Sequence, residues 1–438
     1  MSQSSSARET GGAPRGATAS PPAPPRLLVR RAAVLGAGTM GAQIAALLAS
    51  QGIPSDLLDL PSAPGAPGGR SRLAQEAKRR LLRLRPSPVS TPDALELVRP
   101  GNVAEHLERL REAHWVIEAV VERLDVKREL WARAAPHLHP NAILSTNTSG
   151  IPIASIAQAL PAELQRRFLG THFFNPPRYL RLLEVIPTPT TDPAVVAAIS
   201  RFAEHVLGKG VVLAHDVPGF IANRIGCYGL LATFHAMREA GLGFDDVDAI
   251  TGPAMGRPNS ATFRTLDLVG LDVFVDICDS FQHTLPDPRE REAFQVPPLL
   301  REMVRRGWTG EKAGRGFYQR VEGPDGSQVL VLDPERLEYR PRRRFQAPSL
   351  AAVRSIEDPA QRLRRLVAAD DPAGRFAWRV LSRALAYTAQ KVGEVADDVA
   401  SVDRALRWGF GWELGPFEAW DALGVPETVP TVWNCPGG

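Results

Sequence analysis

Ala32-Ala33-Val34-Leu35-Gly36-Ala37-Gly38-Thr39-Met40-Gly41 decides how the first half of this chain folds: a four-residue apolar run opens onto Gly-x-Gly-x-x-Gly. A short continuous apolar run that stops at glycine reads as a buried parallel strand. Ile44, Leu47 and Leu48 then recur at helical spacing. The glycines therefore stand at a strand-to-helix turn, the context in which this pattern signals dinucleotide binding. Gly36 permits the tight turn. Gly38 lets a pyrophosphate approach the helix N-terminus, and Gly41 lets helix and strand pack closely, with Thr39 and Met40 completing the loop. Asp59 ends the next strand, Leu57-Leu58. A carboxylate there accepts from both ribose hydroxyls and repels a 2′-phosphate, which points to NAD rather than NADP.

Outward from this turn, strand and helix continue to alternate. A basic helix around 71–85 precedes the strand Trp115-Val116-Ile117, a helix around 124–135 and the strand Ala142-Ile143-Leu144. Phe168 to Phe174 and Leu182 to Ile186 extend the sheet. Asp192-Pro193 opens a helix stopped by Gly208, and Val211-Val212-Leu213 closes the domain. The pattern predicts a doubly wound, Rossmann-type α/β domain over 29–215, behind a disordered tail at 1–28. Helical spacing takes over after Pro218 and predicts a first helical domain over 216–320. Phe220, Ile221, Leu230, Leu231, Phe234 and Met237 lie on one long helix too apolar to face water alone. That helix is a candidate subunit contact, so a homodimer is expected through the helical domain.

Residues 321–372, rich in Arg, Pro and Asp, read as an irregular linker, with Arg340, Arg342, Arg343 and Arg344 a solvated basic cluster. A second, diverged helical unit follows at 373–426, and a tail at 427–438. Val247-Asp248, Phe263, Asp267 and Gly270 in the first unit are echoed by Val402-Asp403, Phe417, Asp421 and Gly424. Shared residue types and spacing favour a duplication.

The bulk composition excludes several classes. Lys and Arg exceed Asp and Glu by only 52 to 48 among 438 residues. This balance suits an anionic cofactor and gives no nucleic-acid surface. No apolar run approaches the roughly 18 residues that cross a bilayer. Three scattered cysteines, Cys227, Cys278 and Cys435, form neither a metal spacing nor a disulfide framework. No metal is expected, and a reducing cytoplasm is the default.

The chemistry-bearing residues cluster in three places. His172 ends one apolar run and Glu184 lies inside the next. An imidazole takes a proton near neutral pH, and a carboxylate beside it holds its tautomer and stabilises the cation. Ser145-Thr146-Asn147-Thr148-Ser149-Gly150 follows a strand, where hydroxyls border the cofactor crevice. Asn223 is a polar residue early in the apolar helix, placed either for a buried hydrogen bond or for reaching into the interdomain cleft.

With these residues together, the chain resembles the L-3-hydroxyacyl-CoA dehydrogenase family of fatty-acid β-oxidation. The matching pieces, in the family's order, are GAGTMG (36–41), VIEAVVERLDVK (116–127), STNTSG (145–150), HFFNPPRYLRLLEVIP (172–187), PGFIANR (218–224) and GEKAGRGFY (310–318). The wording of 256–272 and the second helical unit look most like the long bacterial form that carries an enoyl-CoA hydratase module. This chain ends at Cys435-Pro436-Gly437-Gly438, where that module would begin, so no hydratase activity is expected. The resemblance implies His172 as general base, Glu184 as its orienting partner, and Ser149 and Asn223 as holders of the substrate oxygen. It implies NAD contacts from Glu122, Lys127, Asn175 and Lys312, and a structural role for Glu118. Lys78, with Arg79 and Arg80, is a loose candidate for CoA binding. Two other readings remain open: a Rossmann-type dehydrogenase of a free hydroxy acid or sugar acid, and a non-catalytic nucleotide-binding remnant.

Overall fold

The computed structural model describes residues 29–323 and 326–433, so the tail expected at 1–28 lies outside the described residues. Strands β1 (Ala32–Leu35), β2 (Ser55–Asp59), β3 (Val98–Asn102), β4 (Trp115–Glu118), β5 (Ile143–Thr146), β6 (Phe168–Phe173), β7 (Leu182–Pro187) and β8 (Gly210–Leu213) form one sheet. Their order is β3-β2-β1-β4-β5-β6-β7-β8, with every neighbouring pair parallel except β6 and β7. The chain winds outward from β1 to β3, then returns to β4 on the other side of β1. Such a reversal opens a crevice at the carboxyl ends of β1 and β4.

Alternate side chains of each strand enter two different cores. Val34, Leu57 and Trp115 pack under helices Thr39–Ser50, Arg72–Leu81 and Pro193–His205. Leu35, Val116 and Leu144 face Leu130, Trp131 and Ile153 in a core that runs on without a break into the helical half. As expected, Asp192 caps its helix by accepting from the Ala194 N–H at 2.9 Å.

The helical half is built on helix Ala222–Ala240, and helix Pro372–Lys391 of the same chain lies against it. Tyr228 stacks on Tyr387 with ring centroids 3.8 Å apart. The face expected to meet a second subunit is therefore covered from within, and the homodimer through this helix loses its ground. An apolar stripe records that a helix needs a cover; it does not record whose.

The described residues of the stretch expected as an irregular linker carry regular structure. β9 (Tyr318–Gly323), β10 (Gly326–Leu332) and β11 (Tyr339–Pro341) form an antiparallel sheet. Helices Pro348–Val353 and Pro359–Val367 follow, and Val331, Leu332, Leu363 and Leu366 join the main core. The basic cluster is partly bound in place: Arg340 grips Asp245 with two bonds of 3.0 and 2.9 Å, and Arg342 lies over the Tyr318 ring. Helix Val425–Trp433 likewise occupies much of the segment expected as a tail.

The two helical units share a construction device, which supports duplication. Asp248 accepts from the N–H groups of Thr262, Phe263 and Arg264 at 3.0, 2.7 and 3.0 Å. Asp403 accepts from those of Phe417 and Glu418 at 2.8 and 3.0 Å. In both units a carboxylate on one helix satisfies the free N–H groups that open another.

Candidate active site

At the nucleotide turn, Gly36 has φ +105°, and a Cβ there would fall 2.5 Å from the Ala119 carbonyl oxygen. A Cβ on Gly38 would have nothing within 4 Å, so this position faces open space at the start of helix Thr39–Ser50. Asp59 accepts from the Ala37 N–H at 2.5 Å and from the Leu60 N–H at 2.6 Å, which holds its carboxylate beside the loop. Thr39 is exposed and Met40 half-buried on the first turn of the helix. An exposed bare backbone at a helix N-terminus with a carboxylate beside it suits the pyrophosphate and ribose of a dinucleotide.

His172 and Glu184 are paired residues of the antiparallel strands β6 and β7, so their side chains emerge on the same face. Nδ1 of His172 lies 2.7 Å from Oε2 of Glu184; the His172 side chain is 7% exposed and that of Glu184 0%. An ionised carboxylate only accepts, so Nδ1 carries the proton and Nε2 keeps a free lone pair. The rings of Phe174 and Phe220 pack on the imidazole at 4.5 and 5.5 Å. The other oxygen of Glu184 accepts from the N–H groups of Ile221 and Ala222 at 3.1 and 2.9 Å. These amides open helix Ala222–Ala240, whose first turn carries half-buried Asn223. One carboxylate thus fixes both the imidazole and the helix bearing the amide.

A second acidic hub lies past β4. Glu118, fully buried, accepts from Lys127 Nζ at 2.7 Å, Thr146 Oγ1 at 2.8 Å and the Val120 N–H at 2.8 Å. Glu122 accepts from Thr148 Oγ1 and from the N–H groups of Ser149 and Gly150 at 2.5, 2.9 and 3.1 Å. Burial pushes the Glu122 carboxyl up. The nearby Lys127 ammonium and the bonds from Thr148 and Ser149 outweigh this and leave it below the usual range. Lys127 itself is 1% exposed, with its ammonium held between Glu118 and Glu122, so it bears on the crevice through the Glu122 carboxylate.

Two supporting residues, Gln43 and Lys209, escaped sequence reasoning. Gln43 donates to Asn175 Oδ1 at 2.9 Å and ties the loop after β6 to the nucleotide-binding helix. Asn147 accepts from the Phe173 N–H at 2.9 Å. Lys209, buried, donates to the carbonyls of Pro177 and Leu180, and burial lowers its pKa to about 8. A Gln inside an apolar helix and a Lys before a strand give no local signal for such partners. Two lysines singled out earlier are engaged elsewhere: Lys312 pairs with Asp272 at 2.6 Å, and Lys78 donates to the Val98 carbonyl at 2.8 Å.

Residues 31–217 match the model of the 3-hydroxyacyl-CoA dehydrogenase NAD-binding domain, and residues 219–320 match that of the C-terminal domain. The chain belongs to the 3-hydroxyacyl-CoA dehydrogenase family. A probable 3-hydroxyacyl-CoA dehydrogenase of Bacillus subtilis is 44% identical over 413 residues, 92% of this chain and 52% of that protein. One from Deinococcus radiodurans is 47% identical over 296 residues, 67% of this chain and 84% of that protein. Among solved structures, 3-hydroxybutyryl-CoA dehydrogenase from Escherichia coli superimposes with a TM-score of 0.64 at 25% identity, over 91% of this chain and 92% of that one. The chain spans about half the length of the Bacillus relative. Within the family, the sheet domain is the NAD-binding domain, as the open Gly38 and the placement of Asp59 independently suggest.

Proposed function

We propose that the protein oxidises L-3-hydroxyacyl-CoA to 3-oxoacyl-CoA with NAD, as a step of fatty-acid β-oxidation in the cytoplasm. The observation that carries this reading is the 2.7 Å contact between His172 and Glu184, made beside the helix start that bears Asn223. Nε2 of His172 removes the 3-hydroxyl proton, and the O–H electron pair becomes the second C–O bond of the ketone. Bound NAD supplies the acceptor for the hydride that leaves C3. Glu184 stabilises the imidazolium that forms, and Phe174 and Phe220 keep water from it. Ser149 and Asn223 hold the oxygen so that the reacting centre stays in near-attack geometry. Gly36 and Gly41 shape the turn at which Gly38, Thr39 and Met40 would receive the pyrophosphate, and Asp59 would bind the ribose. Glu122, Asn175, Lys127 and Lys312 border the nicotinamide end, with Lys127 acting through Glu122 and Lys312 after release from Asp272. Lys78 would have to leave the Val98 carbonyl to meet a CoA phosphate.

The test is turnover of acetoacetyl-CoA with NADH, and of 3-hydroxybutyryl-CoA against free hydroxy acids. His172→Ala should lower kcat by at least about 100-fold while leaving NADH affinity unchanged. Near-normal kcat in that variant removes the assignment. Preference for a free hydroxy acid moves the protein to the alternative dehydrogenase reading, and silence at every acyl length makes it a non-catalytic remnant.

A further inference from the structure

The second helical unit reaches the back of the catalytic group through the segment Arg407-Trp408-Gly409-Phe410-Gly411-Trp412. Trp408 lies against Gly210 of β8, where a Cβ would fall 2.3 Å from its ring. A Cβ on Gly409 would come within 2.8 Å of Leu182, 3.6 Å of Ala222 and 3.7 Å of Phe174, the ring that packs on His172. Phe410 follows and lies on Gly226, where a Cβ would fall 2.2 Å from Cζ. Gly226 is one turn beyond Asn223 on the same helix face, and Leu230 continues that face a turn further on. Beyond the contact lies a cleft lined by Gly226, Leu230, Pro258, Ala261, Phe410 and Trp412. Arg257, stacked on the Trp412 indole at 4.6 Å, also lines it.

We infer that Phe410 ends the acyl pocket and sets which chain lengths are accepted. The inference rests on the reading above, in which Asn223 holds the 3-oxygen. With the oxygen there, an acyl tail that follows the helix meets Phe410 after one turn, about 5 Å on. The bare backbone of Gly226 lets the ring lie close enough to close the track. The cleft behind the ring holds only about 30 Å³ while Phe410 is in place, so an acyl tail gains room there only when the ring is cut back; its walls are mainly apolar, with Arg257, Thr262 and Thr265 the polar ones. Phe410 and Trp412 are only half-buried. A phenyl that served the core alone would be covered as completely as Phe234 or Phe263.

The experiment compares kcat/KM for four-carbon and ten-carbon 3-hydroxyacyl-CoA in the wild type and in Phe410→Ala. The ten-to-four ratio should rise at least about tenfold, since even one methylene admitted to an apolar pocket changes discrimination by about 10–200-fold. Phe410→Leu should give a smaller rise in the same direction, and it carries the test should the alanine variant melt early. A ratio within about twofold of wild type in a folded variant overturns the inference, as does loss of turnover on both lengths, because Phe410 would then support the site and not bound it. Absence of turnover by the wild type on both lengths removes the dehydrogenase reading itself, and this inference with it.

Discussion

Glu184→Gln separates the electrical role of the carboxylate from its structural one. Glutamine has the same shape, and its carbonyl oxygen can still accept from the Ile221 and Ala222 N–H groups. Its NH2 then faces His172 Nδ1 at about the 2.7 Å now occupied by Oε2. Two donors cannot meet there, so the imidazole must shift its proton to Nε2 and accept at Nδ1. The reverse amide orientation turns the NH2 onto two buried N–H groups, at roughly 1–3 kcal/mol for each one left unpaired. The tautomer shift is therefore the cheaper response, and it leaves no lone pair to take the substrate proton. General-base catalysis contributes about 10²–10⁴-fold, or about 3–5 kcal/mol of barrier. The variant should lose that factor in kcat, while its affinity for NADH, measured by fluorescence titration, and its melting temperature change little. Glu184→Ala, which strands both amides and the imidazole, should instead destabilise the fold by roughly 2–6 kcal/mol. A Glu184→Gln enzyme with kcat within about tenfold of wild type would refute the tautomer argument.

Gly36→Ala should abolish measurable NADH binding in a fluorescence titration, because the new Cβ meets the Ala119 carbonyl at 2.5 Å and φ +105° is strained for any side chain. Lys209 carries a pH signature. Its pKa falls from 10.5 in the free side chain to about 8 in the fold, so between these values the unfolded chain holds a proton that the folded one lacks. Stability should rise by up to about 3 kcal/mol as pH goes from about 8 to about 10.5, and urea titrations of Lys209→Met should lack that rise. Glu394→Gln should lower stability to urea by roughly 1–3 kcal/mol, less than for a fully buried pair because the side chain is 35% exposed.

The legible parts of this fold are those written in local sequence. Continuous apolar runs mark β1, β4, β5, β6 and β7 because both faces of those strands are buried. β3 escapes the same logic: Val98–Asn102 contains Pro100 and Gly101, tolerable only because the strand pairs on one side, at the sheet's edge. β10 escapes because its first half is exposed. The nucleotide turn and Asp59 are readable at short range, since the loop's own dihedrals demand glycine. His172 and Glu184 are readable because a two-strand register brings positions 12 apart into contact. The Gln43–Asn175 bond spans 132 residues and leaves no periodicity in either segment.

The least legible feature explains the second helical unit. Arg224 is fully buried next to Asn223, and its guanidinium binds Glu290 at 2.7 Å, Glu394 at 2.8 Å and the Pro218 carbonyl at 2.9 Å. Lys391 pairs with the same two glutamates at 2.9 Å each, and Tyr387 donates to Glu290 at 2.5 Å. Two cations and two carboxylates cancel, which is the condition for placing this much charge in a core. Arg224 and Glu290 come from the first unit; Tyr387, Lys391 and Glu394 come from the second. Without the second unit, one cation and one carboxylate would remain, stripped of half their partners, at the root of the helix that Glu184 holds against His172. Burying an apolar helix could be done by any greasy surface. Completing this charge set requires one particular surface, so the second copy is bound to the first helical unit by chemistry as well as by area.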